Sequence, residues 1–399
     1  MNLTKMIPLR NFKTLSVISI LLLIAFSSFA QEIKTVKINV GLIYPISSNG
    51  NHAPLDTNHL SINLIAGISA SEMGLAIAGI SNVVRNDTFG AQIAGFSNHV
   101  GKNAKGALIA GFANTYRQND GVALAGFANI AHGDVKGAQL AGFANVAKAV
   151  KGSQLAGFVN VATNVSASQL AGFANIAKKL KGSQLAGFAN IAGNVSASQL
   201  AGFINVAKDV NGSQLGGFIN IARKVKGAQF SGFINIAEES DCPFGLLNFI
   251  KKGEKSIGLS MDELETGLLS FRSGGKTTYG ILAAGYNFRN KDEVYAFEAG
   301  FGAHLRFSNS FRVNVELTAA TLESFKDGEY FRSALKLLPA LKLTNHIELF
   351  GGPSLNLITT NTIEGNQLHT DHLKSWRNNW SDYTQYLTMS YGGGINFIF

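Results

Sequence analysis

Cysteine is all but missing from this chain: Cys242 is the single thiol in 399 residues. No internal disulfide can therefore staple the fold, and stability has to come from hydrogen bonding and burial. Cys242 itself reads as a small buried hydrophobe, with an intermolecular thiol link as the alternative. Charge is also scarce, at 15% of residues, and proline occurs six times. That composition excludes a disordered polyelectrolyte, and it does not suit an ordinary helical enzyme. No stretch approaches ~20 uninterrupted apolar residues, so the chain carries no candidate membrane-spanning helix. What remains is glycine, 44 residues, and a 46% hydrophobic content. Together with the low charge these point to sheet, repeats or a membrane.

The first thirty residues have the layout of a secretory signal peptide. Lys5, Arg10 and Lys13 precede the apolar run "LSVISILLLIAF", which leads to Ser28-Phe29-Ala30 before Gln31. Cleavage is expected after Ala30, giving an exported mature chain. Loss of those three cations lowers the formal charge from +9 to +6, a modest excess that suits acidic glycans or lipid headgroups.

Between residues 71 and 250 one phrase recurs, as in "GSQLAGFANIA" at Gly182–Ala192. The Gly of its Gly-Phe pair falls at Gly95, Gly111, Gly126, Gly142, Gly157, Gly172, Gly187, Gly202, Gly217 and Gly232, a spacing of 15 or 16. Such a period marks a repeat array. Three structures can produce it. Leu155, Phe158, Val161 and Val165 follow a helical spacing, but a Gly in the middle of every unit argues against helix. An antiparallel meander of ~10-residue membrane strands would explain basic linkers (Lys178, Lys179, Lys181) alternating with neutral ones, yet Arg223, Lys224 and Lys226 break that alternation. A β-solenoid, with one coil per repeat, accounts best for the constant length, because stacked coils keep their side chains in register. In that reading Asn129, Asn145, Asn160, Asn175, Asn190, Asn205, Asn220 and Asn235 form an interior amide ladder, while Leu, Phe and Ile or Val, with the linker Val or Leu, fill the core.

From residue 251 to the C-terminus the pattern changes to eight candidate strands with two-residue alternation, joined by short turns ("SGGK", "SNS", "LTN") that alternate with long polar loops. This is the threading of an outer-membrane barrel. Two further strand-like stretches at residues 31–70, "VKINVGLIYPIS" and "HLSINLIAGIS", could add to the eight and close a ten-stranded barrel around an inserted solenoid. The expected fold is thus all-β, a solenoid of about 15-residue coils joined to an antiparallel transmembrane β-barrel.

The final strand ends on Phe397 and Phe399, with Ile395, Phe397 and Phe399 expected to face lipid and Asn396 inward, and here the chain resembles outer-membrane β-barrel proteins. That resemblance implies that the terminal aromatic is read by barrel-assembly machinery. The repeat pattern Gly-x-Gln-x-x-Gly-Phe-x-Asn, as in Gly182, Gln184, Gly187, Phe188 and Asn190, is similar to that of a bacterial surface-repeat family found in exported proteins. It implies an envelope location and brings no catalytic residues.

Chemistry is sparse. His369, Asp371 and His372 sit together in the longest loop, but no second cluster completes a metal site. In the same loop Trp376 and Trp380, with Lys374 and Arg377, form either an interfacial anchor or a grip on a glycan or lipid headgroup. A glycan-cleaving solenoid needs grouped acids and bases, and the repeats offer Gln, Asn, Ser and Lys instead. The expectation is a non-enzymatic envelope protein without cofactor, metal or nucleic-acid partner. Its partners would be outer-membrane lipid, the assembly machinery and a glycan or other envelope component. The alternative is a transport barrel whose repeats line or plug a pore.

Overall fold

A computed structural model describes residues 37–326, 328–369, 371–377 and 382–399. The expected signal peptide and Trp380 lie outside them. The chain forms a β-solenoid of about 13 turns followed by a closed eight-stranded antiparallel barrel.

Each central coil contributes a short strand, such as Gln154–Ala156, and a longer one, such as Val159–Val165. Both pair in parallel with their equivalents in the next coil, Gln154 opposite Gln169 and Asn160 opposite Asn175. The Gly-Phe pair makes the corner between them. A Cβ on Gly172 would collide with the carbonyl oxygen of Gly157 one coil earlier, so the corner needs glycine for close approach. Where a coil has an extra residue the register shifts, as between Val100 and Asn103, and the shift is absorbed in the polar linker. The ladders on either side stay aligned.

The core differs from the sequence reading. Asn160 and Gln154 are fully buried, with Ala162 and Val165 beside them, whereas Leu155 and Phe158 are 38% and 40% exposed. The Asn phase is as expected, but leucine and phenylalanine face outward. Once Asn160 points in, strand alternation sends Val161 out and Ala162 in. In the short strand the same rule sends Gln154 in and Leu155 out. The linker residue, Val165 or Leu180, does enter the core, each only 1% exposed.

The two N-terminal strands belong to the solenoid and not to the barrel. Ile38–Ile43 lies parallel to Thr57–Ser69, with Val40 opposite Ile62, and Thr57–Ser69 continues in parallel onto Ser71–Ala78 and Ser81–Val84. Parallel pairing makes them the first coils of the stack.

The barrel closes without them. Its strands are Lys255–Asp262, Thr266–Gly274, Thr278–Asn287, Tyr295–Arg306, Phe311–Glu323, Tyr330–Lys342, Ile347–Thr360 and Thr384–Ile398. The first meets the last in antiparallel register, Ile257 opposite Phe397. Alternation puts Leu269, Leu317, Leu335 and Leu349 on the outer wall, each at least 44% exposed. Arg272, Glu316, Glu348 and Asn396 are buried in the lumen.

The last coil packs on the barrel's outer wall beside the turn that joins the second and third barrel strands. Thr277 N–H donates to Asp241 O (3.3 Å), and Thr278 Oγ1 donates to Pro243 O (2.7 Å). Phe244 stacks on the outward ring of Phe301 at 4.4 Å. A Cβ on Gly280 would collide with the carbonyl oxygens of Gly245 and Leu246, so this close docking requires glycine. Half-buried Cys242 sits at this junction, within 3.8 Å of Thr278 Oγ1.

Stacking in constant register predicts tolerance to whole-coil deletion. Removing Gly182–Ser196 places Gln199 on Gln169 and Asn205 on Asn175, restoring like-on-like contacts. The shortened chain should fold and be exported like the wild type, measured by yield and circular dichroism. A deletion of half that length should fail, because it sets short strands against long ones.

Candidate functional site

The functional surfaces grow out of two buried amide ladders. In the first, each Asn donates to the next coil: Asn175 Nδ2 to Asn190 Oδ1 at 3.0 Å, and Asn190 Nδ2 to Asn205 Oδ1 at 3.0 Å. The same Asn190 Nδ2 also donates to Leu200 O at 2.7 Å, so the side chain satisfies a strand carbonyl of the following coil. The ladder runs beyond the expected eight residues, from Asn82 through Asn98 and Asn114 to Asn129, and past Asn235 to Asn248.

The second ladder was not anticipated as interior. Gln154, Gln169, Gln184, Gln199, Gln214 and Gln229 each donate Nε2 to the Oε1 of the preceding coil, at 2.8–3.0 Å. Glutamine bonds run backward along the rod and asparagine bonds forward, so the two amide columns oppose each other's dipoles. The Gln column begins on Tyr116, whose hydroxyl accepts from Gln139 Nε2 at 2.8 Å. The signal was present in the repeats, since from Gln139 to Gln229 a Gln lies six residues before the Asn of each unit.

Because the amides hold the inside in register, the outside stacks as well. One outward column starts with Val40, Ile62, Ile77, Ile93 and Ile109. It continues as leucine from Leu124 to Leu215 and ends on Phe230 and Phe244. A second, at the corner, stacks ten phenylalanines from Phe96 to Phe233, with ring centroids 4.7–5.3 Å apart and nearly parallel planes. An open apolar furrow of about 840 Å³, lined by the leucine column and the Ala and Gly that follow each leucine, runs from Ile109 to Leu200. The polar linker of each coil is exposed as well, as at Lys178, Lys179 and Lys181.

The barrel lumen is filled by ion pairs. Arg272 lies 2.9 Å from Glu316, Lys336 2.7 Å from Glu298, Arg332 2.8 Å from Asp262 and Arg312 2.7 Å from Glu348. Asn396 Nδ2 donates to Glu348 Oε1 at 3.1 Å, so the inward placement expected for Asn396 holds. The remaining lumen cavity is about 50 Å³, room for a water molecule or two. These charges were legible as lone ionic residues at inward parity in apolar strands, as in "VNVELT" and "IELF".

At the rim, Glu254 ties the linker from the solenoid to the barrel. Its carboxylate meets Arg312 (2.6 Å), Lys342 (3.1 Å) and His304 (3.7 Å). Burial raises its pKa, but the hydrogen bond and charge of Arg312 outweigh burial and hold the carboxyl down at about 2.

The other end carries the long loops. Leu368 packs with Leu322, Tyr330, Ile358 and Tyr386 in an apolar cap over the lumen. His369 is buried against Tyr330, whose hydroxyl lies 3.0 Å from Nε2, and His372 Nδ1 lies 3.1 Å from His369 O. Burial depresses the His369 pKa to about 4. Among the described residues no three His, Cys, Asp or Glu side chains lie close enough to hold a metal ion. Lys374–Arg377 forms a short exposed strand against Thr384–Ile398, with Lys374 Nζ 5.6 Å from the centre of the Trp376 ring. Phe397 and Phe399 point outward, 46% and 63% exposed.

Two outcomes follow from this geometry. Asn190→Leu removes a rung, takes one of two acceptors from Asn175 Nδ2 and takes the side-chain donor from both Asn205 Oδ1 and Leu200 O, a cost on the order of 1 to 3 kcal/mol per unsatisfied group. Lys179→Ala should leave the denaturant midpoint unchanged. Second, His369 is held neutral in the fold at a pH where the unfolded side chain, near 6.5, is already protonated. Its contribution is complete above about 6.5 and is lost as pH falls from there toward 4. The protection of amides across 363–369, judged from the exchange rate relative to the intrinsic rate at each pH, should therefore fall at pH 5 relative to pH 7.5, and His369→Gln should flatten that dependence.

Comparison with protein-family models, with curated proteins and with solved structures finds no match to this chain.

Proposed function

We propose that the chain is a non-enzymatic outer-membrane protein in which an eight-stranded barrel anchors a repeat rod, serving as a scaffold or binding element of the cell envelope. The observation that carries this reading is the inverted polarity of the barrel. Its outer wall is leucine and phenylalanine, and its charges are inside. In water such a wall would cost roughly 25 cal/mol for every Å² of exposed apolar area, whereas lipid is its natural surrounding. Among the described residues no helix is long and apolar enough to cross a membrane, and a barrel crosses with strands.

The lumen favours an anchor over a pore. Arg272, Arg312, Arg332, Lys336 and Lys342 face Asp262, Glu254, Glu298, Glu316 and Glu348, five cations against five anions, and the loops cap one end. Eight strands enclose an interior that side chains can fill. The terminal aromatics Phe397 and Phe399 suit recognition by barrel-assembly machinery. Lys374, Trp376 and Arg377 at the loop end suit contact with a glycan or other envelope component. The signal-like N-terminus and the Gly-x-Gln-x-x-Gly-Phe-x-Asn resemblance support export to the envelope.

The rod leaves from the end that holds both barrel termini and the tight turns at 275–277, 307–310 and 343–346. Outer-membrane barrels keep short turns in the periplasm, so the rod is assigned to that side.

The wild type should co-fractionate with outer membrane, show heat-modifiable mobility on a gel and give no stable open level in single-channel recordings. Phe397→Asp should abolish the heat-shifted form, whereas removal of Phe399 alone should reduce its yield. A wild-type protein recovered entirely as a soluble species would overturn the membrane reading, and a stable conductance would overturn the anchor reading.

A further inference from the structure

We propose that the solenoid lies along the inner face of the outer membrane with its leucine and phenylalanine columns embedded in the lipid leaflet that surrounds the barrel. The inference rests on the membrane reading of the barrel and adds a second, peripheral lipid contact made by the rod itself. Three observations carry it.

The first is the uniformity of the outward column. From Val40 to Phe244 all fourteen rungs are aliphatic or aromatic. At about 4.8 Å per coil the column is roughly 60 Å long. Exposed apolar patches of that extent mark an interaction surface. A folded protein partner would leave an apolar centre and a polar rim along the contact. An unbroken stripe of one chemistry suits an apolar phase without sequence of its own. The furrow along the leucine column, lined by Leu, Ala and Gly from Ile109 to Leu200, has the length and lining to take acyl chains.

The second is the amphipathic cross-section. Away from the apolar corner, Phe158 and its equivalents, each coil exposes a polar linker, cationic at Lys178, Lys179 and Lys181 and neutral at Thr163, Asn164 and Ser166. An element with one apolar edge and a polar, partly cationic remainder lies in the interface plane.

The third is the way the last coil is mounted, which sets the roll of the rod about its axis. Ascending the barrel wall from the tight turn, Thr277 meets Asp241 of the linker corner, Thr278 meets Pro243, and Gly280 meets Gly245 and Leu246 of the Gly-Phe corner position. The polar linker therefore sits at the rim and the apolar corner points up the wall toward the lipid belt. Phe244, the last rung of the leucine column, stacks on Phe301 of the outer wall at 4.4 Å. The rod's apolar face and the barrel's lipid-facing wall thus form one continuous surface.

Nitroxide labelling tests this in the full chain with Cys242→Ala as background. Single cysteines replace Phe173 on the apolar corner, Lys179 on the linker corner and Leu335 on the barrel wall. The labelled proteins are reconstituted in phosphatidylethanolamine and phosphatidylglycerol vesicles, and each must retain the heat-shifted mobility of the folded barrel. If Phe173→Cys does not fold, Leu170→Cys reports from the neighbouring column. Labels at 173 and 335 should be relaxed several-fold more by oxygen than by a water-soluble nickel chelate, and the label at 179 should show the reverse. A lipid-exposed label at 335 with a nickel-accessible label at 173 would overturn the proposal and leave the membrane reading intact. A label at 173 closed to both reagents would also overturn it, showing that a second copy or another protein covers the face. A nickel-accessible label at 335 would bring down the membrane reading itself.

Discussion

The amide ladders set the terms for everything else in the rod. An Asn side chain that donates to both the next Asn and the next Leu carbonyl, as Asn190 does at 3.0 and 2.7 Å, fixes coil-to-coil register to a single residue. A slip of one position would move every Asn and Gln out of the core and leave buried strand carbonyls unpaired. With the inside locked, the outside has no freedom either. Identical residues must stack on identical residues, and the phenylalanines come to lie within 5.3 Å of each other along ten coils. The exposed columns are thus a consequence of the buried ones.

Rod and barrel share a polarity that reverses the usual soluble arrangement. In the barrel, ion pairs occupy the lumen and leucine the wall. In the rod, amides occupy the centre beside Ala and Val, and the bulkier apolar side chains stand outside. Such a narrow interior has room for Gln, Asn and one Val or Leu per coil, but not for a phenylalanine as well. Polar interiors of this kind hold only when every group is paired, and the ladders supply that pairing by repetition. On the proposed reading the two halves expose the same kind of surface to the same solvent, which is lipid.

The period, the Asn phase, the eight barrel strands and the inward Asn396 were legible in the sequence, because each depends on spacing alone. The barrel strands stop where turn residues interrupt the alternation, as at Lys255–Asp262. The placement of Leu155 and Phe158 was not legible, for a physical reason. Hydrophobic residues are assigned to a core by default, and Phe158, which alternation from Asn160 would send inward, is turned outward by the Gly-Phe corner. Membership of the first two strands in the barrel was left open by the sequence, because an alternating apolar strand looks the same in either setting. Only the parallel pairing of Val40 with Ile62 distinguishes them.

The junction shows how a repeat array can end without an exposed edge. A terminal coil normally presents unpaired strand groups that invite aggregation. Here the last rung, Asn248, donates Nδ2 to Ser273 O at 3.1 Å and donates its backbone N–H to Ser273 Oγ at 2.9 Å. The amide ladder is thereby handed to a barrel strand, and the barrel is the cap. Six residues later Glu254 enters the cluster of Arg312, Lys342 and His304 at the rim. The short segment between Asn248 and Glu254 is thus held at both ends, one by neutral hydrogen bonds to the outer wall and one by charges at the lumen mouth. A linker fastened in two different ways leaves the rod little freedom to swing, so the direction in which the columns face is fixed by the barrel on which the rod is mounted.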